Sequence, residues 1–139
     1  MKKFIESKVH TIMTRKVVTV KPDMTIDALE KMFDKHGFNM FPVVKKGNLV
    51  GVVSEFDFLK AFVIFGSDLQ NPKPYKKIAK EKTVQDICAT SVTFREWHPL
   101  TYVLEVMVNS KLKSFPVIND DGKLVGMLAR RDVIKKLKE

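Results

Sequence analysis

A helical stripe of apolar residues follows a break near the start of the chain. Four apolar side chains recur at helical spacing after Pro22: Ile26, Leu29, Met32 and Phe33. Because this spacing places them on one face, the pattern predicts an amphipathic helix. Thr25 stands at the N-cap position, and Gly37 is suited to end the helix.

Short apolar runs on either side of this stripe predict strands. Residues 17–20 form a β-rich run before the helix, and residues 41–44 and 49–53 form two more after it. The intervening residues 45–48, Lys-Lys-Gly-Asn, are typical of a hairpin turn. Ser54 then opens a second helix, so the predicted order is strand, helix, strand, strand, helix.

The whole pattern returns later in the chain, with an offset that runs 75, 74 and 75 residues. Four segments match in order: VHTIM (9–13) with VQDIC (84–88), VVTV (17–20) with SVTF (91–94), MFPVV (40–44) with SFPVI (114–118), and LVGVVSEFD (49–57) with LVGMLARRD (124–132). The offset changes only in loops, as expected for homologous structural units. One unit of roughly 50 residues buries too little surface to stand alone, so we expect the two halves to pack their sheets into a joint core.

The repeats predict an α+β fold divided into residues 1–66 and 84–139, with a non-repeating basic linker or insertion at residues 67–83. Within that segment, we expect a solvent loop around Asn71 to Pro74, followed by an exposed basic stretch.

The second predicted helix of the first repeat is apolar on every side from Phe58 to Phe65. A helix of this kind must be buried by something. Internal packing against the linker and a subunit interface both remain open, and we favour the interface.

The composition is that of a globular chain with an excess of positive charge. Of 139 residues, 45% are hydrophobic, the formal net charge is +9, and only four of the 25 basic residues are arginines. Because base readout and phosphate forks favour arginine, the charge favours anionic ligands over nucleic acid. A nucleic-acid accessory stays open as an alternative, supported by five lysines: Lys73, Lys76, Lys77, Lys80 and Lys82.

Other function classes find little support in the sequence. The longest unbroken apolar stretch, residues 61–65, is far shorter than the about 20 residues that cross a bilayer, and the N-terminus has no signal-like run, so we expect a cytoplasmic protein. Cys88 lacks partners at metal-ligand spacing and is interpreted as a small buried apolar residue rather than a reactive thiol. The three histidines are scattered without a paired nucleophile, so we expect neither an enzyme nor a metal site.

The repeated heptapeptide carries the candidate chemistry. Ser54 and Asp57 have the spacing of a capping box, which could explain the motif completely. In the second copy Ala129 cannot cap although Asp132 is kept, which favours a separate task for the acid. A helix N-terminus suits phosphate and a first-turn carboxylate suits ribose hydroxyls, so the motif is typical of a nucleotide site.

An apolar slot for adenine would be supplied by the strand residues Val18, Thr19, Val92 and Thr93 and by the segments that precede Pro42 and Pro116.

The doubled pattern V-x-x-I-M, V-x-T-V-x-P-D-x-T, F-P-V-V and G-V-V-S-E-F-D resembles a tandem pair of CBS domains, the regulatory modules named after cystathionine β-synthase. The resemblance covers nearly the whole chain outside residues 61–83. It implies two β-α-β-β-α repeats around a pseudo-twofold axis (a Bateman module), which often dimerises as a disc, and clefts that bind AMP, ADP, ATP or S-adenosylmethionine without catalysis.

The resemblance also implies that each cleft joins the motif of one copy to strand and loop residues of the other. The first cleft would combine Ser54 and Asp57 with Val92, Thr93, Lys113, Ser114 and Phe115. The second would combine Asp132 with Met13, Thr14, Val18, Phe38, Asn39 and Met40. The second copy departs from the pattern, because Ala129 lacks a hydroxyl whereas Arg130 and Arg131 add cations beside the phosphate position. Glu55 would repel phosphate at the first cleft, so that site should prefer fewer phosphates.

The resulting hypothesis is a stand-alone regulatory module that binds an adenosine-type ligand, needs no cofactor or metal, and changes its own association or a partner's activity. It is expected to be a homodimer. A protein interaction module without a small-molecule ligand, centred on the apolar helix, and the nucleic-acid accessory remain as alternatives.

Overall fold

The computed structural model describes residues 1–65 and 74–139, so the predicted loop at residues 71–73 and Lys73 lie outside the described residues. The first half contains α1 (Lys2–Glu6), a 3-10 turn (Val9–Thr11), α2 (Ile26–His36), β1 (Met40–Lys45), β2 (Asn48–Ser54) and α3 (Glu55–Ile64). The second half contains α4 (Tyr75–Glu81), α5 (Val84–Ile87), β3 (Phe94–Arg95), α6 (Leu100–Val108), β4 (Ser114–Ile118), β5 (Leu124–Ala129) and α7 (Arg130–Leu137). The predicted mixed α+β class with two related repeats is confirmed.

The chain divides into two compact units that do not coincide with the repeats. The terminal unit comprises Met1–Val17 and Ser91–Glu139, and the central unit comprises Val18–Thr90. Each unit therefore takes its hairpin from one repeat and its leading segment from the other. The leading segments are residues 9–17 of the first repeat and residues 84–90 of the second. Segments are thus exchanged between the repeats, while the packing of their sheets into one joint core stays a prediction.

Antiparallel hairpins form the centre of both units. In the central unit β1 pairs with β2 from Met40 opposite Ser54 to Lys45 opposite Asn48, and Lys46 and Gly47 both have positive φ, as a two-residue hairpin turn requires. In the terminal unit β4 pairs with β5, from Ser114 opposite Ala129. Both hairpins shift register at corresponding points, so the fold repeats down to its β-irregularities.

The predicted first strand of each repeat is much shorter than expected. Residues 17–20 contribute only a bridge from Val20 to Val43, and the counterpart β3 is two residues long. Val20 donates to the Pro42 carbonyl at 3.1 Å and accepts from the Val44 amide at 2.9 Å. Extending the parallel ladder toward Val18 would need an amide hydrogen on Pro42, which proline lacks, and Pro116 has the same effect in the second repeat.

The predicted ends of α2 are confirmed. The Thr25 hydroxyl accepts from the Ala28 amide at 3.1 Å, and Gly37 takes a left-handed conformation with φ of 67°. These contacts satisfy backbone groups that a helix leaves unpaired at its termini.

Apolar side chains from both segments of each unit form its core. The terminal unit buries Phe4, Val9, Met13, Phe94, Leu100, Val103, Met107, Phe115, Val117, Leu128 and Val133. The central unit buries Val20, Leu29, Phe33, Phe41, Val43, Val53 and Val84. Val84, which belongs to the second repeat, is buried in the core of the central unit together with residues of the first repeat. This contact is one example of the exchange of segments.

The basic stretch from Lys76 to Lys82 is not simply an exposed segment, as had been expected. Most of it forms α4, whose Ile78 and Ala79 are buried while its lysines point outward. The two apolar residues are adjacent rather than spread along the segment, so periodicity alone did not indicate them. None of the helices in the described residues is both long and apolar enough to cross a membrane.

Candidate functional site

The start of α3 in the central unit is a complete capping box. Asp57 Oδ2 accepts from the Ser54 amide and from the Ser54 hydroxyl, both at 2.9 Å, and the Ser54 hydroxyl accepts from the Asp57 amide at 3.1 Å. The capping interpretation of this motif is therefore confirmed as a structural role. The hydrogen bonds of the capping box use only Oδ2 of the Asp57 carboxylate.

The second oxygen of Asp57 remains available. Asp57 is buried, at 7% exposure, yet no hydrogen bond among the described residues uses Oδ1. Those residues also contain no buried side-chain oxygen that lacks a partner. A carboxylate oxygen that accepts no hydrogen bond from these residues can accept one from a hydroxyl.

The start of α7 in the terminal unit keeps half of the same arrangement. Asp132 Oδ2 accepts from the Ala129 amide at 2.8 Å, while Ala129 has no side-chain acceptor for the helix amides. Capping of the backbone is therefore enough to account for the retention of Asp132 without a serine. A separate task for Asp132 stays a prediction, and it would involve the other carboxylate oxygen.

The glycine of each motif permits a close backbone approach. Gly51 lies against the Ala89 backbone, where a methyl group would sit 2.5 Å from the carbonyl oxygen, and Gly126 lies against Thr14, with a corresponding distance of 2.9 Å. The neighbouring Val52 exchanges two hydrogen bonds with Ala89, at 2.8 and 2.9 Å, and Met127 exchanges two with Thr14, both at 2.9 Å. The exchanged segments are therefore tied to the hairpins at equivalent places.

The loop before each hairpin is tied to the following helix. The Glu55 amide donates to the Asn39 carbonyl at 3.0 Å, and the Arg130 amide donates to the Lys113 carbonyl at 3.1 Å. Asn39 and Met40 thus lie beside Ser54 within the central unit, and Lys113 and Ser114 lie beside Ala129 within the terminal unit. The grouping of these residues into clefts across the halves stays a prediction.

The two helix starts differ in charge. Three cationic residues lie at the start of α7, Lys113, Arg130 and Arg131, whereas Asn39, Glu55 and Phe56 occupy the equivalent positions at α3. Arg130 donates to the Ser110 carbonyl at 3.3 Å, and Arg131 is exposed. A helix start with added cations suits an anion better than one with a carboxylate.

Other predicted site residues divide by exposure. Phe115, Pro42 and Met13 are buried within their units. The more open ones are Thr14, Val18, Thr19, Phe38, Val92 and Thr93. Phe38 is half exposed and stacks on His36, with ring centroids 5.7 Å apart and planes inclined by 17°. Sequence reasoning missed His36, whose only signal was its position two residues before Phe38.

Cys88 lies close to this site in the central unit. Its pKa is raised chiefly by burial and to a smaller extent by the nearby Asp57 carboxylate, while a backbone hydrogen bond lowers it. Cys88 is only partly buried, rather than buried as predicted, and packs against the core of the central unit. Its raised pKa favours the protonated thiol at neutral pH, which supports a packing residue over a reactive one.

Comparison with known proteins identifies the repeated unit. The family model of the CBS domain matches residues 9–64 and 84–139. The chain belongs to the CBS domain family. An uncharacterised protein of Methanocaldococcus jannaschii is 34% identical over 128 residues, which are 92% of this chain and 43% of the relative. The chain thus spans less than half of that relative's length.

A solved CBS structure covers almost the whole chain. The crystal structure of CBSX2 in complex with AMP has a TM-score of 0.76 and 28% identity, and the match covers 95% of this chain and 98% of that one. The inosine-5'-monophosphate dehydrogenase of M. jannaschii is 25% identical over 132 residues, which are 94% of this chain but only 24% of the enzyme. Similarity to that enzyme is therefore confined to a quarter of its length.

Each CBS repeat of this chain thus contributes one acid-capped helix start, at Asp57 and at Asp132. Neither start is accompanied by a metal-binding cluster, because residues 1–65 and 74–139 contain no group of three His, Cys, Asp or Glu side chains suited to hold an ion. What the arrangement offers chemically is one carboxylate oxygen that accepts no hydrogen bond within residues 1–65 and 74–139, together with N-terminal helix amides and, at α7, added cations.

Proposed function

We propose that this CBS pair is a regulatory module that binds an adenosine-type ligand, an adenine nucleotide or S-adenosylmethionine, at the starts of α3 and α7. The observation that carries the proposal is the match, over 95% of the chain and at 28% identity, to CBSX2, whose crystal structure contains AMP. Asp57 and Asp132 would each accept from ribose hydroxyls through the oxygen that does not cap the helix.

The two sites are proposed to differ in the number of phosphates they prefer. Arg131 and the partly committed Arg130 add positive charge at the start of α7, whereas Glu55 adds negative charge at the start of α3. Coulomb attraction therefore favours ATP at the α7 start and AMP or S-adenosylmethionine at the α3 start.

Titration calorimetry with AMP, ATP and S-adenosylmethionine tests the proposal. Asp57→Ala and Asp132→Ala should each remove one binding event. The matched control is Asp86→Ala, because Asp86 Oδ2 caps α5 by accepting from the Thr83 amide at 2.8 Å without belonging to the proposed sites. Loss of binding in all three variants would indicate a general capping effect, and failure of all three ligands to bind at millimolar concentration would overturn the proposal.

We also propose that α3 mediates homodimerisation, through which ligand binding could be signalled. Its outer side exposes four large apolar residues, Phe56, Leu59, Val63 and Ile64, each more than half exposed. Contiguous apolar surface of this kind marks interaction sites. Light scattering should show a dimer for the unmodified chain and a monomer for Leu59→Glu/Val63→Glu, and a monomeric unmodified chain would contradict this part.

We propose that the module itself is not catalytic and acts in the cytoplasm. A protein interaction module that ignores nucleotides would show the α3-dependent dimer but no heat of ligand binding, so the same two experiments separate it from the sensor.

A further inference from the structure

A cavity of about 310 Å³ lies in the central unit, away from the proposed nucleotide site. Six residues line it: Lys21, Pro22, Asp23, Val44, Lys45 and Lys46. They belong to the loop before α2 and to the turn end of the β1–β2 hairpin, where Lys45 pairs with Asn48. Ser54 and the start of α3 are at the other end of this hairpin, opposite Met40, so the strand places the two features roughly 17 Å apart.

The lining carries an excess of positive charge. Three lysines and one aspartate give a formal charge of +2 around the cavity. Within residues 1–65 and 74–139, neither Lys21 nor Lys45 forms an ion pair with a carboxylate. Like charges gathered around a concave surface raise the local potential, which a bound anion would relieve.

In the second repeat, the basic residue equivalent to Lys21 is paired with a carboxylate. Arg95, the counterpart of Lys21, forms an ion pair with Asp120 at 3.2 Å and donates to the Asn119 carbonyl at 2.8 Å. Trp97, the counterpart of Asp23, donates through Nε1 to the same Asp120 carboxylate at 3.2 Å. In the terminal unit the guanidinium of Arg95 is thus neutralised by Asp120, whereas in the central unit Lys45 adds a second positive charge beside Lys21.

We propose that this cavity binds a small phosphate-type oxyanion of about the size of pyrophosphate. Its volume lies at the lower end of the range for small-molecule sites, about 300–1,000 Å³, and exceeds what a single phosphate group requires. Lys21 and Lys45 donate to the anion as mobile point charges, with Val44 and Pro22 as apolar walls. Asp23 limits the affinity by repulsion.

Pyrophosphate binding, measured by titration calorimetry on the full chain, tests this site. Lys21→Gln/Lys45→Gln should weaken binding by about tenfold or more, because two charged hydrogen bonds are lost. Asp23→Asn should strengthen binding, since it removes the opposing charge. The matched control is Lys76→Gln/Lys77→Gln on α4 of the same unit, which removes two charges from exposed lysines outside the cavity and should change affinity little.

Several results would overturn the proposal. An equal loss in the Lys76→Gln/Lys77→Gln control would indicate non-specific attraction by net charge. A loss confined to Arg130→Gln/Arg131→Gln would place the anion at the start of α7 instead. If a short DNA duplex bound more tightly than pyrophosphate, and if that binding depended on Lys21 and Lys45, the lysines would form a nucleic-acid surface instead. Circular dichroism of each variant confirms folding, and AMP binding unchanged in Lys21→Gln/Lys45→Gln separates this site from the nucleotide site.

Discussion

The two CBS repeats carry opposite charge at both ends of their hairpins. The central unit is basic at the turn, through Lys45 and Lys46, and has Glu55 at the helix start, whereas the terminal unit has Asp120 at the turn and two arginines at the helix start. The residues that build the hairpins and their contacts are the same type in both. The two repeats therefore share a scaffold and differ in the charge at the two ends of their hairpins.

The largest expected effect tests whether the two scaffolds are equivalent. Phe41 and Phe115 occupy corresponding strand positions and are both fully buried. Phe41→Ala and Phe115→Ala should each lower the free energy of unfolding by about 3–5 kcal/mol, because each removes a large side chain from a packed core. Urea denaturation followed by circular dichroism measures both, and a small loss at either position would show that the cores are not equivalent.

Substitution of the glycine in each motif should give the next largest loss of unfolding free energy, and the loss should be larger at Gly51 than at Gly126. Gly51→Ala brings a methyl group 2.5 Å from the Ala89 carbonyl oxygen, whereas at Gly126 the methyl group would lie 2.8 Å from the flexible side chain of Met13 and 2.9 Å from the Thr14 carbonyl oxygen. Overpacking costs about 1–3 kcal/mol, and Gly51→Ala should lie at the upper end because its backbone contact is the closer of the two. The same denaturation experiment checks the order, and a larger loss for Gly126→Ala would contradict it.

Exchanging the capping residues should reverse a difference between the helix starts. Ser54→Ala removes the hydroxyl that accepts from the Asp57 amide and should cost about 1 kcal/mol of unfolding free energy. Ala129→Ser restores this acceptor at α7 and should stabilise by a similar or smaller amount. Differential scanning calorimetry should show opposite shifts in melting temperature, and shifts of the same sign would mean that the helix starts are not comparable.

The smallest expected effect is a pH dependence confined to the second repeat. Burial, and to a smaller extent the Arg95 guanidinium, lowers the pKa of His98, whose Nδ1 accepts from the Arg95 amide at 2.9 Å. The unfolded state, with a pKa near 6.5, then binds protons more readily, so the stabilisation is complete above about pH 6.5 and is lost as pH falls below it. The first repeat has Met24 at this position and gains no such dependence.

Urea midpoints measured at about pH 7.5 and about pH 5.5 test this expectation. His98→Gln keeps a hydrogen-bond acceptor without titrating, so its midpoint should fall less than that of the unmodified chain. An identical fall in both proteins would assign the pH dependence to other groups.

Local signals predicted much of the fold correctly. The apolar stripe of α2, its cap at Thr25 and its end at Gly37 were all visible, because each depends on neighbours within a few residues. The hairpin turn at Lys46 and Gly47 was visible for the same reason. The first strands were overestimated, since their length depends on which amides a partner strand offers, and Pro42 offers none.

The candidate site was only partly predictable. The motif placed Ser54, Asp57 and Asp132 at helix starts, because strand, cap and helix follow one another in sequence. That Asp132 would cap a backbone amide without a serine could not be judged before the geometry was known. The pairing of Arg95 and Trp97 with Asp120 joins residues 23 or more positions apart, and no local pattern indicates it.

The sequence by itself determined the repeat, the α+β class and the positions of the acidic helix starts, because periodicity, capping and turn chemistry are short-range properties of a chain. Only the tertiary structure decided that the leading segments are exchanged between repeats, that Gly51 and Gly126 exist for close backbone contact, and that a basic cavity forms beside one turn. These features depend on contacts between distant segments, and such contacts are selected by packing and charge after the local elements have formed.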